Sequence, residues 1–209
     1  STLEEIDKTV HFLKKRGSEI IILHCVSKYP CPPEELHLAS IGFLKDRYGV
    51  IVGFSDHSIG LDSALAAVAL GARVVEKHFS LSRDLWGADH KVSMIPDEMR
   101  ALVVGVRELE SNSVKREECL TKEIVRRGMG SPEKVLQEGE AVFRPYFRKS
   151  LMAGRDIAAG EVIVAKDLYA MRPQQYAGGM PSEEYERVIG KKISRTLKKY
   201  DPIIKDILS

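Results

Sequence analysis

Three short apolar runs, each giving way to polar residues, alternate with helix-length segments through the first half of this chain. They are Glu19-Ile20-Ile21-Ile22-Leu23-His24-Cys25, Val50-Ile51-Val52-Gly53-Phe54 and Arg73-Val74-Val75-Glu76. Continuous β-branched stretches of this kind suit strands buried on both faces, as in a parallel sheet. The segments between them read as helices. One runs from about Glu34 to Tyr48, with Leu38, Ile41 and Leu44 facing inward. Another covers residues 61–70 and stops at Gly71. A helix also opens at Thr2, where Thr2 and Glu5 form a capping box, and another at Pro96. The order α-βα-βα-βα predicts three parallel strands whose carboxyl ends lie on one side. In parallel α/β folds that edge is where chemistry is done. Three strands do not close a barrel and leave two edges, so the chain is expected to begin in the middle of a repeating unit.

The predicted edge is rich in polar groups. Gly53-Phe54-Ser55-Asp56-His57-Ser58 and Val74-Val75-Glu76-Lys77-His78-Phe79 place a histidine just after two consecutive strands. Two imidazoles so placed can share one metal ion; barrel mouths also bind many ligands without metal. Asp56 and Glu76 can orient the histidines from behind, or form a buried salt bridge with Lys77. Ser55 can bind an anion or bond the local backbone. Asp89 and His90 can reach over the mouth, or Asp89 can close an Asx turn. His24 ends the first strand, as a site residue or a hydrogen-bonded core histidine. His11 and His37 read as solvated. Cys25 has no base beside it except His24, which argues against a thiol nucleophile.

Composition excludes several classes. Of 209 residues, 32 are basic and 30 acidic, for a net charge of +2 with the signs interspersed. That balance offers nucleic acid no footprint. No apolar stretch is long enough to span a membrane. Three cysteines without zinc spacing fit a reduced, cytoplasmic setting.

Residues 1–112 read as the α/β domain. Residues 113–148 are charged, weakly periodic and broken by Gly128, Gly130, Pro132 and Gly139, and read as a linker. Residues 149–209 read as a small, mostly β module. Its strands would be residues 150–153 and 161–164, flanking the turn at 158–160, with another from Gly190. At that size it is expected to dock on something.

At these residues the chain resembles the sialic acid synthase family, which includes N-acetylneuraminate, legionaminate and pseudaminate synthases and a spore-coat polysaccharide protein. The resemblance rests on several motifs in order: Leu23-His24-Cys25-Val26-Ser27-Lys28-Tyr29-Pro30, Gly53 to His57, Ala69 to Phe79, Gly87-Ala88-Asp89-His90 and Ser93 to Glu98. It resumes at Arg148-Lys149-Ser150-Leu151-Met152-Ala153 and runs through Arg172-Pro173 to Gly190-Lys191-Lys192. It implies the last three βα units of a (β/α)8 TIM barrel followed by an antifreeze-like (SAF) domain.

It also implies condensation of phosphoenolpyruvate with an N-acetylated hexosamine, such as N-acetylmannosamine, with release of phosphate. Mn2+ or Mg2+ is implied as cofactor, with His57 and His78 as its ligands. Ser55 is implied as a phosphoenolpyruvate contact, Ser27 and Tyr29 as pocket lining, and Asp89 as a partner of the sugar hydroxyls. Arg172 is implied to reach the partner's site in a domain-swapped homodimer, with the SAF domain as lid. The chain departs from the family at Ala88, where proline is usual, and at residues 174–179, where a Gly-x-Gly is absent. Nothing here matches the family's phosphate-binding lysines or its substrate-binding glutamate, which belong to earlier strands. The competing readings are another phosphoenolpyruvate-dependent aldol-type synthase and a non-catalytic carbohydrate-binding or subunit-contact module.

Overall fold

Strands β1 (Ile21–Cys25), β2 (Ile51–Asp56) and β3 (Val75–Lys77) form one parallel sheet in the order β1-β2-β3. The structure is a computed structural model describing residues 1–209, and it divides into two compact units, Ser1–Glu140 and Ala141–Ser209. In the first, the helices are α1 (Leu3–Lys15), α2 (Ser40–Tyr48), α3 (Asp62–Ala69) and α4 (Pro96–Ser111). The Thr2–Glu5 capping box is formed on both sides. Residues 33–35 make a separate 3₁₀ turn, so α2 starts later than its apolar spacing suggests. Leu38, Ile41 and Leu44 are nonetheless buried.

The sheet has two unlike faces. Side chains alternate along a strand, so Ile22, His24, Val52, Phe54 and Val75 share one face. The apolar members of that row belong to the core beneath α2 and α3. The opposite face carries Ile21 and Ile51, which are 53 % and 51 % exposed. The expectation of strands buried on both faces therefore fails for β1, where only His24 is fully buried. Gly53 lies on the open face of β2, and a Cβ there would stand 2.5 Å from the Val74 carbonyl oxygen. Only glycine lets β3 approach this closely.

Helix α3 is small and apolar because it is surrounded. It packs on β2, on α4 and on two further helices, α5 (Ser113–Thr121) and α6 (Glu123–Met129). Ser63, Ala64, Leu65, Ala66 and Ala67 are all buried. Helices α5 and α6 correct the linker reading of residues 113–148. Cys119 and Val125 are 5 % and 1 % exposed and join the main core. The backbone at Gly128 and Met129 accepts hydrogen bonds from Leu38 and Ala39. Each helix buries so few apolar side chains that its charged remainder hides the period. No helix is long and apolar enough to cross a membrane.

The second unit is built on β4 (Ser150–Ala153) and β5 (Leu168–Met171), paired antiparallel. Residues 161–164 and the stretch after Gly190, expected as strands, make only isolated bridges, Val162 with Lys192 and Ile193 with Leu208. Leu151, Ile157, Ile163, Val188, Ile193, Leu197, Ile203 and Ile207 fill the core. The unit is internally duplicated. Residues 157–168 recur forty positions on as residues 197–208, and the bonds recur with them. Ile157 and Leu197 exchange two hydrogen bonds of 2.9 Å across the centre. Ala153 N–H donates to the Asp201 carbonyl, and Ile193 N–H to the Glu161 carbonyl. Gly160 and Tyr200 occupy matching turns at φ +86° and +73°.

Candidate functional site

The carboxyl ends of the three strands bring most of the predicted residues of the first unit together on the open face. Cys25, Ser55 and Glu76 stand in register across β1, β2 and β3. His57 and His78 follow β2 and β3 on the same alternation. Their ring centres are 5.3 Å apart. Tyr29, on the loop after β1, lies 4.2 Å from the His57 ring and 5.6 Å from the His78 ring, measured between centres.

His57 is nearly buried, and its Nδ1–H donates to the Val26 carbonyl at 2.9 Å. This bond fixes the tautomer and leaves the Nε2 lone pair as the free one. Ser55 Oγ donates to Glu76 Oε1 at 2.6 Å. Burial raises the Cys25 thiol above its ordinary range, partly offset by hydrogen bonds from Ser27 and Ser55. A thiol kept protonated is a poor nucleophile. Burial also raises the Tyr29 hydroxyl, and the negative charges of Asp89 and Glu76 add to it.

Asp56 does not orient the histidines. Its carboxylate faces the helical core, where Lys77 Nζ reaches Oδ2 at 2.7 Å with both side chains almost wholly buried. Lys77 Nζ also donates to the Ser58 carbonyl at 2.7 Å, and Ser58 N–H donates to Asp56 Oδ1 at 2.8 Å. The residues flanking His57 are thus tied to the residue preceding His78. The histidines escape this pair because they lie one position further along the alternation.

The long segment after His78 is stapled to the strand end. Met94 N–H donates to the His78 carbonyl at 2.8 Å, and Ser80 N–H to the Met94 carbonyl at 2.9 Å. Asp89 opens a 3₁₀ turn with an exposed carboxylate, in place of the Asx turn considered above, and its carbonyl accepts from Ser93 Oγ. His90 Nδ1 bonds Ser80 Oγ at 2.8 Å, which makes it a loop fastener. His24 is a core histidine: Nε2–H donates to the Leu36 carbonyl at 2.7 Å and the ring stacks on Phe54. His37 is not simply solvated, since its Nδ1 accepts from Ser131 N–H at 3.0 Å. Arg172 belongs to the second unit. It is exposed there, with its guanidinium 5.9 Å from the Phe147 ring centre.

Two residues of this edge escaped sequence reasoning. Lys134 and Glu140 are buried, and both bond the loop after β1, to the Cys25 carbonyl and the Ser27 N–H. They sit six positions apart in a polar, glycine-interrupted stretch, where no period or motif marks them.

The NeuB family profile matches residues 1–118, and the SAF domain profile matches residues 148–207. The chain belongs to the NeuB family. It is 34 % identical over 209 residues to the N,N'-diacetyllegionaminic acid synthase of Campylobacter jejuni, covering 99 % of this chain and 57 % of that protein. It is 34 % identical over 199 residues to a pseudaminic acid synthase of the same species, covering 95 % of this chain and 52 % of the relative. The chain thus spans about half the length of these curated relatives. The crystal structure of the spore coat polysaccharide biosynthesis protein SpsE of Bacillus subtilis superposes with a TM-score of 0.80 at 29 % identity, over 100 % of this chain and 59 % of that one. An N-acetylneuraminic acid synthetase from Leptospira borgpetersenii gives 0.52 at 33 % identity, over 68 % of this chain and 44 % of that one.

Proposed function

We propose that this chain is the carboxyl-terminal part of a nonulosonic acid synthase, which condenses phosphoenolpyruvate with an N-acetylated hexosamine such as N-acetylmannosamine. The observation that carries this is the meeting of His57, His78 and Tyr29 at one sheet edge. The parallel sheet, with its open face, is then an arc of a (β/α)8 barrel.

The donor set fits a divalent cation such as Mn2+ or Mg2+. Two imidazoles bound to one ion at about 2 Å have ring centres about 5 Å apart, and 5.3 Å separates these. His57 offers Nε2 with its other nitrogen already bonded. When bound, the cation supplies Lewis acidity toward an aldehyde oxygen. The reaction forms a bond between the methylene carbon of phosphoenolpyruvate and the aldehyde carbon. Water adds at the enol carbon, and that carbon's bond to the phosphate oxygen breaks. Around this chemistry, Tyr29 walls the histidine pair, and Ser55, whose hydroxyl Glu76 holds, faces the anionic substrate. Ser27 lines the pocket, and Asp89 accepts from sugar hydroxyls.

The test is an assay of the native polypeptide containing this chain, with phosphoenolpyruvate, Mn2+ and a panel of N-acetylhexosamines. Phosphate release matched by nonulosonic acid is expected. His57→Ala should weaken Mn2+ binding by more than about a hundredfold, since loss of outer partners alone costs up to that. No turnover with any hexosamine, or full Mn2+ binding by His57→Ala, overturns the reading.

Arg172 acts in trans, at the site of a partner copy. Its support is an exposed guanidinium held against a ring instead of in an ion pair, on a residue whose backbone Pro173 restricts. Its fixed donor fork suits an acyl or carboxylate oxygen. Arg172→Ala and His78→Ala subunits, each inactive, should together recover about a quarter of wild-type activity if they pair at random. Mixed dimers no more active than the parents would exclude the trans arrangement.

A further inference from the structure

We propose that Lys134 and Glu140 form a clasp that positions His57 and the Ser27–Tyr29 loop. Between residues 131 and 140 these are the two buried positions, while Ser131, Pro132, Glu133, Val135 and Glu138 are exposed. Lys134 Nζ donates to the Cys25 carbonyl at 3.1 Å. Glu140 Oε1 accepts from Ser27 N–H at 3.1 Å. The two charges lie 3.8 Å apart. The gripped peptide groups bracket Val26, whose carbonyl in turn accepts from His57 Nδ1–H. The clasp therefore sets the acceptor that orients His57, and with it the backbone carrying Ser27 and Tyr29. Gln137 steadies it, with its N–H on Glu140 Oε2 and its side-chain amide donating to the Glu35 carbonyl at 2.7 Å.

A buried ion pair adds little net stability relative to apolar packing of the same volume. What it adds here is placement: two opposite charges fix a carbonyl and an N–H two residues apart. Both are positioning residues, acting on the site through the backbone of Val26. The inference deepens the synthase reading and rests on it for the link to metal binding.

The test uses the native polypeptide with the paired replacement Lys134→Met/Glu140→Met, which removes both hydrogen bonds without leaving a lone buried charge. The variant is expected to melt within a few degrees of wild type, yet to bind Mn2+ about tenfold or more weakly, the usual effect of losing an orienting partner. Amide hydrogen exchange across residues 25–29 should accelerate at least about tenfold, with the rest of the sheet unchanged. Lys134→Met/Glu140→Gln, which leaves no lone buried charge, keeps an oxygen for Ser27 N–H and should bind Mn2+ more tightly than the paired variant, a rescue that general destabilisation does not give. If the paired variant does not fold, Lys134→Met/Glu140→Gln replaces it, judged on the Cys25 side by the same criteria. A folded variant with wild-type Mn2+ affinity and wild-type exchange at residues 25–29 overturns the clasp. If the wild type itself binds no Mn2+, the metal reading fails, and exchange at residues 25–29 still decides the clasp.

Discussion

Lys77→Met is expected to destabilise the first unit by about 3–5 kcal/mol, the range for breaking one partner of a buried pair. Lys77 and Asp56 are 2 % and 0 % exposed in their side chains, so no water replaces the lost ammonium. Asp56 would keep one bond, from Ser58 N–H, against a whole buried charge. The Ser58 carbonyl would lose its donor as well. The double variant Asp56→Leu/Lys77→Met should recover most of the loss, because apolar groups of similar volume leave nothing uncompensated. Urea denaturation followed by circular dichroism measures both. A loss below about 1 kcal/mol in Lys77→Met would place the pair in a wetter setting than the structure shows. If His57 and His78 hold a metal as proposed, the double variant should bind it weakly even where it folds, since the pair ties together the residues carrying them.

Acid should weaken the fold through His24. Burial pushes its imidazole down to about 4, from 6.5. Nδ1 faces no partner, and Nε2–H is committed to the Leu36 carbonyl. A proton therefore has no acceptor to share in the folded state, while the unfolded chain takes one up near pH 6.5. Between these values the unfolded state binds more protons, so stability is full above about pH 6.5 and falls as pH drops toward 4. The loss is about 3 kcal/mol over that window. His24→Gln can keep the donor to Leu36 and cannot titrate, so it should remove that part of the dependence. Urea midpoints of both proteins at half-unit steps of pH are the measurement. Parallel curves for the two would exclude His24 as the cause.

The site was legible because it follows from the alternation of side chains at the ends of parallel strands. His57, His78, Ser55 and Glu76 face one way by counting, and register brings them together. The role of Lys77 was legible only as one of two options for Asp56. The same count shows which is realised once β2 and β3 are in register. What sequence could not show depends on partners distant along the chain. Lys134 and Glu140 have meaning only against Cys25 and Ser27, more than a hundred residues earlier. Helices α5 and α6 were hidden because each buries a narrow stripe against α3. In the second unit the expected strand at 150–153 forms as β4, whereas residues 161–164 and the stretch after Gly190 make single bridges, because beyond the β4–β5 ladder the core is held by turns and isolated pairs. Its duplication was masked because few positions persist, chiefly apolar ones such as Ile157 and Leu197 or Ile163 and Ile203, while Gly160 corresponds to Tyr200.

That duplication separates two jobs within sixty residues. Each copy contributes half of a core that neither can close alone, so the copies constrain each other position by position. The connector between them, residues 169–189, has no counterpart; Val188 and Met180 anchor it to that core, while none of residues 172–178 is buried. It holds Arg172, Pro173 and the stretch 174–179 that departs from the family pattern. Changes at residues 174–178 alter what the unit presents while the paired halves stay as they are, whereas Gly179 packs against the Leu151 carbonyl and admits no side chain. The symmetric part of the module is its frame, and the unburied part of the connector is the stretch that can change without disturbing it.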